Sequence, residues 1–220
     1  MKTKITLSII ALIIIVACET QTQVTGIWKD ESYTTEDFKK IAVVGITSNI
    51  SNRDVFENAI TKRLKEIGYN AIPGSVIITP NMIKLKDKKG LKKALKINSV
   101  DGVLVISLLD IKEDSYYVPG SSSYYHPMNP YYGSFYDYYY YNYDRVYAQG
   151  YYQSTIQIFL ESNFYSLISD TLVQTMQSET VNPADVKDLA DSYSKTLVEQ
   201  LVRGKILRNK ILIEQKNTKQ

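Results

Sequence analysis

The chain has 220 residues, with 26 Lys and Arg against 23 Asp and Glu, one His and one Cys. A single Cys excludes a disulfide framework and a zinc site of several cysteines, and a single His excludes metal motifs that need two histidines. The formal net charge of +3 is too small to indicate a nucleic-acid-binding protein. The unusual feature of the composition is 19 Tyr beside 5 Phe and 1 Trp.

The first 17 residues have the pattern of a signal peptide. Lys2 and Lys4 precede the apolar segment Ile5–Ala17, which would rise only about 20 Å as a helix. The hydrocarbon core of a bilayer is about 30 Å thick, so the segment fits a cleaved signal peptide better than a permanent span. A short N-terminal anchor helix is the alternative.

The end of this segment, Ile15-Val16-Ala17-Cys18, resembles the bacterial lipobox. The resemblance implies cleavage before Cys18, a diacylglyceryl thioether on its sulfur and a further acyl chain, such as palmitate, on its new amino group. Two or more acyl chains anchor a protein stably at a membrane without a spanning helix. Glu19 rather than Asp follows, and by analogy with enteric bacteria this favours the outer membrane. A buried free cysteine is the alternative.

The remainder of the chain has the length of one domain with a sizeable core. Residues 18–26 are polar and predict a tether, and residues 27–204 predict a single α/β domain. Residues 205–220 predict a C-terminal tail that begins with a short strand. Within the domain, residues 115–149 are predicted to be a tyrosine-rich, projecting insertion.

Hydrophobic periodicity places strands and helices alternately along the first half of the domain. The unbroken apolar run Ile41–Ile46 predicts a central strand that is buried on both faces. Ser51 as N-cap and Gly68 as terminator frame an amphipathic helix. Three further elements are predicted in order: a short strand interrupted by a turn in Tyr69–Ile78, a helix from Lys88 or Lys89 to Ile97, and a buried strand at Val103–Leu109.

After the insertion, two segments have the two-residue period of strands, in which successive side chains lie on opposite faces. These segments, Ser154–Glu161 and Leu172–Glu179, predict an antiparallel hairpin at the edge of the sheet. Asn182 as N-cap and Pro183 at the first helical position open a last helix, which Gly204 closes. Its predicted apolar stripe is Val186, Leu189, Tyr193, Leu197 and Leu201. The order β-α-β-α-β, insertion, β-β-α predicts an α/β fold with a mixed sheet, right-handed crossovers and helices that cover one face. A domain of two or of three layers fits this order.

A set of hydrophobic and aromatic positions carries a family resemblance across residues 27–204. These positions are Phe38–Gly45, Phe56-Glu57, Leu64, Gly68, Asp101–Val105 and Leu160–Tyr165. They resemble small envelope lipoproteins of Bacteroidetes-type bacteria and, more distantly, the TolB amino-terminal-domain-like group. That group includes the lipoprotein activators of penicillin-binding proteins and the periplasmic domain of the curli secretion lipoprotein. The resemblance implies a fold and an envelope location, but no catalytic residue.

The insertion concentrates the aromatic residues, since Tyr116–Tyr152 hold 15 of the 19 tyrosines within 37 positions. Tyr offers a broad apolar face and a polar tip, which is why it dominates adaptable binding surfaces. We expect this segment to bind a protein partner, a cell-envelope glycan or another copy of the chain. A low-complexity loop without a specific ligand is the alternative. The candidate contact residues are Tyr124, Tyr125, Tyr131, Tyr132, Tyr138, Tyr139, Tyr140 and Tyr141.

Three other features have structural and functional interpretations. Seven lysines between Lys84 and Lys96 predict a solvated helix face. Binding of these lysines to an anionic lipid surface is the alternative. Binding to nucleic acid is not expected, because no aromatic residues are interleaved with the lysines. His126 is predicted to be a solvated loop residue. The carboxylates Asp110, Glu113 and Asp114 follow a buried strand, where α/β proteins often bind ligands, and two of them could serve a glycosidase.

The sequence contains no phosphate-binding loop and no nucleophile elbow. The predicted function is therefore non-catalytic: a lipid-anchored envelope lipoprotein that docks a protein partner or a glycan, without a cofactor, a metal or nucleic acid. A self-assembling structural component of the cell surface is the alternative, and an envelope hydrolase is a weaker one.

Overall fold

The computed structural model describes residues 20–79, 81–82, 85–118, 136 and 150–218. A short 3-10 helix, Gly74–Val76, follows the third strand. The strands and α-helices of the described residues are β1 (Thr22–Lys29), β2 (Ile41–Ile46), α1 (Ile50–Glu66), β3 (Ala71–Pro73), α2 (Lys88–Ile97), β4 (Gly102–Val118), β5 (Tyr151–Ser166), β6 (Thr171–Val181), α3 (Val186–Arg203) and α4 (Lys210–Asn217).

The strands form one mixed sheet in the order β1-β6-β5-β4-β2-β3. β2 pairs in parallel with β3 on one side and with β4 on the other, whereas β1 pairs antiparallel with β6. The α/β class, the mixed sheet and the predicted succession of strands and helices are confirmed. The structure adds β1 before that succession and α4 after it.

The described residues divide into two compact units. Residues up to Asp110 and from Ile158 onward belong to the first unit, and Ile111–Gln157 form the second. The helices α1 to α4 all belong to the first unit. The second unit contains the later residues of β4 and the earlier residues of β5.

Both faces of β2 are covered, each by a different helix. Ile41 is fully buried in the main core with Leu64 of α1, and α3 contributes to the same core. Ala42 is fully buried in a second cluster, against which Leu91 and Leu95 of α2 pack. The prediction that the helices cover one face is therefore wrong. Because β3 and β4 lie on opposite sides of β2, two right-handed connections place α1 and α2 on opposite faces.

The N-cap of helix α1 lies two residues before the predicted one. The Asn49 side chain, rather than that of Ser51, accepts the capping hydrogen bond from the Asn52 backbone N–H at 3.1 Å. Asn and Ser are both good N-caps, so the spacing alone did not separate them. The predicted terminator is confirmed: Gly68 has a φ of +91°, and a Cβ there would lie 2.8 Å from the Cβ of Lys210.

The predicted interrupted strand is a strand only at Ala71–Pro73. Gly74 then starts the 3-10 helix close to β2, and a Cβ on it would lie 2.8 Å from the Val43 carbonyl oxygen. The turn brings Ile77 and Ile78 into the second cluster, where both are buried. These two residues are thus apolar because they pack in the core as part of a turn, and the predicted second strand segment is wrong.

β1 corrects two predictions at once. Thr22–Lys29 is a strand, so the second half of the predicted tether, residues 22–26, lies in the sheet. β1 also covers the outer side of β6, so the hairpin of β5 and β6 is not the edge of the sheet. Polar side chains are tolerated in this strand because they form hydrogen bonds inside the protein. The Thr22 hydroxyl lies 2.8 Å from the Thr180 hydroxyl, and the Thr22 backbone N–H donates to the Ser192 hydroxyl.

The C-terminal part of the domain extends beyond the predicted boundary. Asp185, rather than Asn182, caps α3, because Asn182 has a φ of 47° and the helix starts only after Asp185. The predicted apolar stripe is confirmed at four positions, and Gly204 is the C-cap. The predicted tail is wrong in its first part, since Ile206 and Leu207 are fully buried in the main core, and α4 follows. The buried members of the stripe are Leu189, Tyr193, Leu197 and Leu201.

Candidate functional site

The tyrosine-bearing strands of the second unit expose their aromatic side chains to solvent. On β4, Tyr116 and Tyr117 are 52% and 53% exposed, and on β5, Tyr151 and Tyr152 are 60% and 74% exposed. Tyr136 is exposed as well. Exposed large aromatic side chains are candidate contact residues, because burying them on binding is favourable. The exposed tyrosines of β4 and β5 are therefore the described residues that bear on the predicted docking segment.

One aromatic pair links the two strands within this unit. The rings of Tyr117 and Tyr152 lie 5.3 Å apart at an angle of 60°, an edge-to-face contact. The Tyr117 hydroxyl also accepts a hydrogen bond from the Gly150 backbone N–H at 3.2 Å. Gly150 is required there, because a Cβ on it would lie 2.3 Å from the Tyr117 hydroxyl oxygen. A ring contact and a hydrogen bond thus fix the position of Tyr117, and Gly150 leaves room for its hydroxyl group.

Several predicted residues lie outside the part of the chain that the structure describes. These are the lipidation residue Cys18, the loop residue His126 and the eight candidate contact residues Tyr124, Tyr125, Tyr131, Tyr132, Tyr138, Tyr139, Tyr140 and Tyr141.

The carboxylates proposed for a glycosidase are all on the surface. Asp110 is exposed in the first unit, and Glu113 and Asp114 are exposed in the second. A general acid at neutral pH usually needs a buried carboxyl group to raise its pKa, and these positions offer no such burial. Within the described ranges, no three His, Cys, Asp or Glu side chains are grouped so as to hold a metal ion.

A buried ion pair lies where the parallel strands end, and sequence reasoning missed it. Glu57 is fully buried on α1, and its Oε1 accepts hydrogen bonds from Arg53 Nε at 2.7 Å and from the Gly45 backbone N–H at 2.9 Å. Its Oε2 accepts from the Ser75 backbone N–H at 2.7 Å. This edge of a parallel sheet commonly binds ligands. Here the Glu57 carboxylate instead connects α1, β2 and the 3-10 helix by hydrogen bonds, which is a structural role.

The lysines of α2 are on the solvent side of that helix, as the sequence predicts. Leu91 and Leu95 face the second cluster, and the exposed side chains belong to Lys86, Lys88, Lys89, Lys92, Lys93 and Lys96. Lys84 is outside the described residues.

The sequence analysis also missed a surface cleft of about 400 Å³ beside α4. Its lining is partly apolar and partly basic, and it formed no part of the sequence prediction because the region was expected to be a tail. The lining residues are Thr35, Val202, Lys205, Leu207, Arg208, Asn209, Leu212, Ile213 and Lys216.

None of the helices among the described residues is both long and apolar enough to cross a membrane. No protein-family model and no curated protein matches the sequence. Solved structures do match. A PelC dodecamer from Paraburkholderia phytofirmans is 8% identical, with a TM-score of 0.42, over 81% of this chain and 95% of that one. The lipoprotein GNA1162 from Neisseria meningitidis is 12% identical, with a TM-score of 0.38, over 74% and 98%.

Proposed function

We propose that the chain is a non-catalytic, lipid-anchored protein of the bacterial cell envelope that docks a protein partner or a cell-envelope glycan through its tyrosine-rich segment. The anchor is the acylated Cys18, and the outer membrane is the favoured location. The support for the anchor is sequence alone: the sole Cys of the chain stands where the apolar segment ends, in a lipobox-like context.

The observation that carries the docking role is the exposure of the described tyrosines. Tyr116, Tyr117, Tyr151 and Tyr152 all expose more than half of their surface, although they stand on two strands rather than at a loop tip. Since Tyr loses little conformational entropy when it is fixed, such a surface suits binding.

A small number of these residues would give a useful affinity. Each aromatic pair adds about 0.5–1.5 kcal/mol beyond its buried area. Micromolar binding needs about −8 kcal/mol after ordering costs, so four or more tyrosines acting together with their buried area reach that range. We therefore expect the loss of four tyrosines to be decisive, and the loss of one to be partial.

In-cell crosslinking tests the docking role directly. The variant replaces Tyr116, Tyr117, Tyr151 and Tyr152 with Ser in the full chain and is expressed at the native level. Its crosslinked adducts are compared with those of a matched control, in which four exposed lysines of α2 are replaced with Ser: Lys88, Lys92, Lys93 and Lys96.

We expect the adducts to fall at least fivefold in the tyrosine variant and to remain in the lysine variant. Equal yields from the two variants would contradict the docking role. Adducts that contain only two copies of this chain would instead support the self-assembling alternative, as would oligomers of the full chain in sedimentation that the four Tyr-to-Ser changes abolish.

A further inference from the structure

The antiparallel half of the sheet carries an ordered row of polar side chains on the face turned away from α3. Thr175 Oγ1 donates to Asn163 Oδ1 at 2.6 Å, and Asn163 Nδ2 donates to Glu161 Oε1 at 3.0 Å. Gln177 Nε2 donates to the other oxygen, Glu161 Oε2, at 3.0 Å. The four side chains thus form one hydrogen-bonded chain across β5 and β6, which we call the polar ladder.

The residues between these positions show that the polar ladder faces outward. Ser162 and Phe164 alternate with the ladder along β5, and Ser178 follows it on β6; all three are buried on the side of the main core. The ladder side chains themselves are half-buried or exposed, and Gln177 is the most open of them. No helix of the described residues packs on this part of the face, since α2 covers β2 and its neighbours instead.

Aromatic side chains flank the polar ladder on the same face. Trp28 of β1 is the cross-strand partner of Thr175, and opposed residues of neighbouring strands project on one side of the sheet. Trp28 is the single Trp of the chain and is 51% exposed. Tyr165 stands two residues after Asn163 on β5, so it shares that face, and it is 37% exposed.

No side chain projects from the sheet at Gly26, beside Trp28. It is the cross-strand partner of Gln177, so it stands in the next row of the same face. It has no side chain, and the first atom that a Cβ would meet is Gln177 Oε1 at 3.5 Å. Trp28 on β1 and Tyr165 on β5 thus flank the fixed polar groups of the ladder, and we call this surface the shelf.

The polar ladder keeps unused hydrogen-bonding capacity. A carboxylate can accept about four hydrogen bonds, and the ladder supplies one to each oxygen of Glu161. The amides of Asn163 and Gln177 each use one N–H inside the ladder, which leaves a second N–H for a ligand. Hydrogen bonds from Gln177 and Asn163 lower the pKa of Glu161, so the carboxylate stays ionised. Charged acceptors form the stronger hydrogen bonds.

We propose that this shelf binds a carbohydrate chain, with a sugar ring stacked on Trp28 and its hydroxyl groups hydrogen-bonded to Glu161, Gln177 and Asn163. A pyranose ring presents C–H groups on its faces and hydroxyl groups around its rim, which suits an exposed aromatic ring beside hydrogen-bond acceptors and donors. This inference deepens the docking role proposed above, and it rests on that role only for the envelope location. It uses residues that are separate from the tyrosine-rich segment.

The single Trp makes the test direct, because all tryptophan fluorescence of the chain comes from Trp28. The full chain is purified in a polyoxyethylene detergent, which contains no sugar, and is titrated with cellohexaose, maltohexaose and chitohexaose. We expect a saturable change in Trp28 emission with at least one of them, with a dissociation constant below about 1 mM. Glu161→Gln should weaken that binding about tenfold or more, and Gln177→Ala should weaken it as well.

The matched control is Glu199→Gln, an exposed carboxylate on α3, which should bind the oligosaccharide as the parent chain does. Thermal unfolding of each variant confirms that it is folded. The inference is overturned if none of the three probes changes Trp28 emission at about 10 mM, or if Glu161→Gln and Glu199→Gln bind equally well. If the parent chain binds no sugar but its crosslinking depends on the tyrosines, only this inference is removed. If it binds sugar but its crosslinking does not depend on the tyrosines, only the docking role of the tyrosines is removed.

Discussion

Arg53 Nε lies 2.7 Å from Glu57 Oε1 in a part of the protein where the Glu57 side chain has no solvent exposure. The same carboxylate accepts the backbone N–H groups of Gly45 and Ser75. Each oxygen is therefore committed, and the negative charge is compensated by one guanidinium and two peptide dipoles. The pair stabilises the loops at the carboxyl ends of β2 and β3.

Glu57→Gln should destabilise the protein strongly. The amide would place N–H hydrogens against a backbone N–H or the guanidinium and would leave the buried charge of Arg53 without a partner. Removing one partner of a buried pair costs about 3–5 kcal/mol. Urea denaturation of the variant, compared with the exposed control Glu199→Gln, measures the difference. A loss below about 1 kcal/mol, the usual range for surface changes, would contradict the structural role.

Leu207→Ala should show that the residues after α3 belong to the core. Leu207 is 1% exposed in the main core, and Leu-to-Ala changes at such positions cost about 2–5 kcal/mol in free energy of unfolding. Leu212→Ala on α4 is the matched control, because that side chain is 54% exposed and should cost much less. Similar small losses in both variants would mean that residue 207 lies in a loosely attached tail.

Gly150→Ala should displace Tyr117, because a Cβ at residue 150 would meet the Tyr117 hydroxyl oxygen at 2.3 Å. We expect crosslinking to the partner to decrease, since the Tyr117–Tyr152 pair is part of the proposed docking surface. Gly26→Ala is the control, because its Cβ would find its first neighbour at an ordinary 3.5 Å. Undiminished crosslinking by the residue 150 variant would show that the aromatic pair does not matter for docking.

Asp188 should contribute to the acid sensitivity of the protein. Hydrogen bonds from the Thr20 hydroxyl and from the Ala184 backbone N–H lower its pKa in the folded state. A lowered pKa means that its contribution to stability is present above the unfolded value of about 3.9 and is lost as the pH falls through the folded value.

The variant Asp188→Asn tests that sign. Urea denaturation should show it less stable than the parent chain at pH 7, and the difference should shrink as the pH falls below about 4. Asp114→Asn, at an exposed position in the second unit, should match the parent chain at both pH values. A difference that grows toward low pH would show that the sign is wrong.

Sequence patterns predicted the elements whose signal is local. The apolar run Ile41–Ile46 and the amphipathic helix Lys88–Ile97 are found with the predicted bounds, because burial on both faces and helical spacing are written in adjacent residues. β1 was missed because Thr22 is buried through hydroxyl pairs with residues more than 150 positions away. No local pattern reports such partners.

The candidate sites also differ in whether their signal is local in the sequence. Composition alone located the tyrosine-rich segment, because the signal is a local excess of one residue type. The Glu57 site has only the spacing of Arg53 and Glu57 on one helix as a sequence signal, and that spacing is common on solvated helices. The shelf at Trp28 depends on the register between β1 and β6, which includes a bulge after Val24. That register cannot be derived from the separate strands.

If the tyrosine-rich segment is presented by a membrane-held chain, Cys18 must carry the acyl chains that hold it there. Cells expressing the full chain are grown with labelled palmitate, and the protein is immunoprecipitated beside its Cys18→Ser variant. The account predicts label in the parent chain, none in the variant, and a mature protein that begins at residue 18. An unlabelled parent chain, or one whose mature N-terminus lies elsewhere, would contradict it.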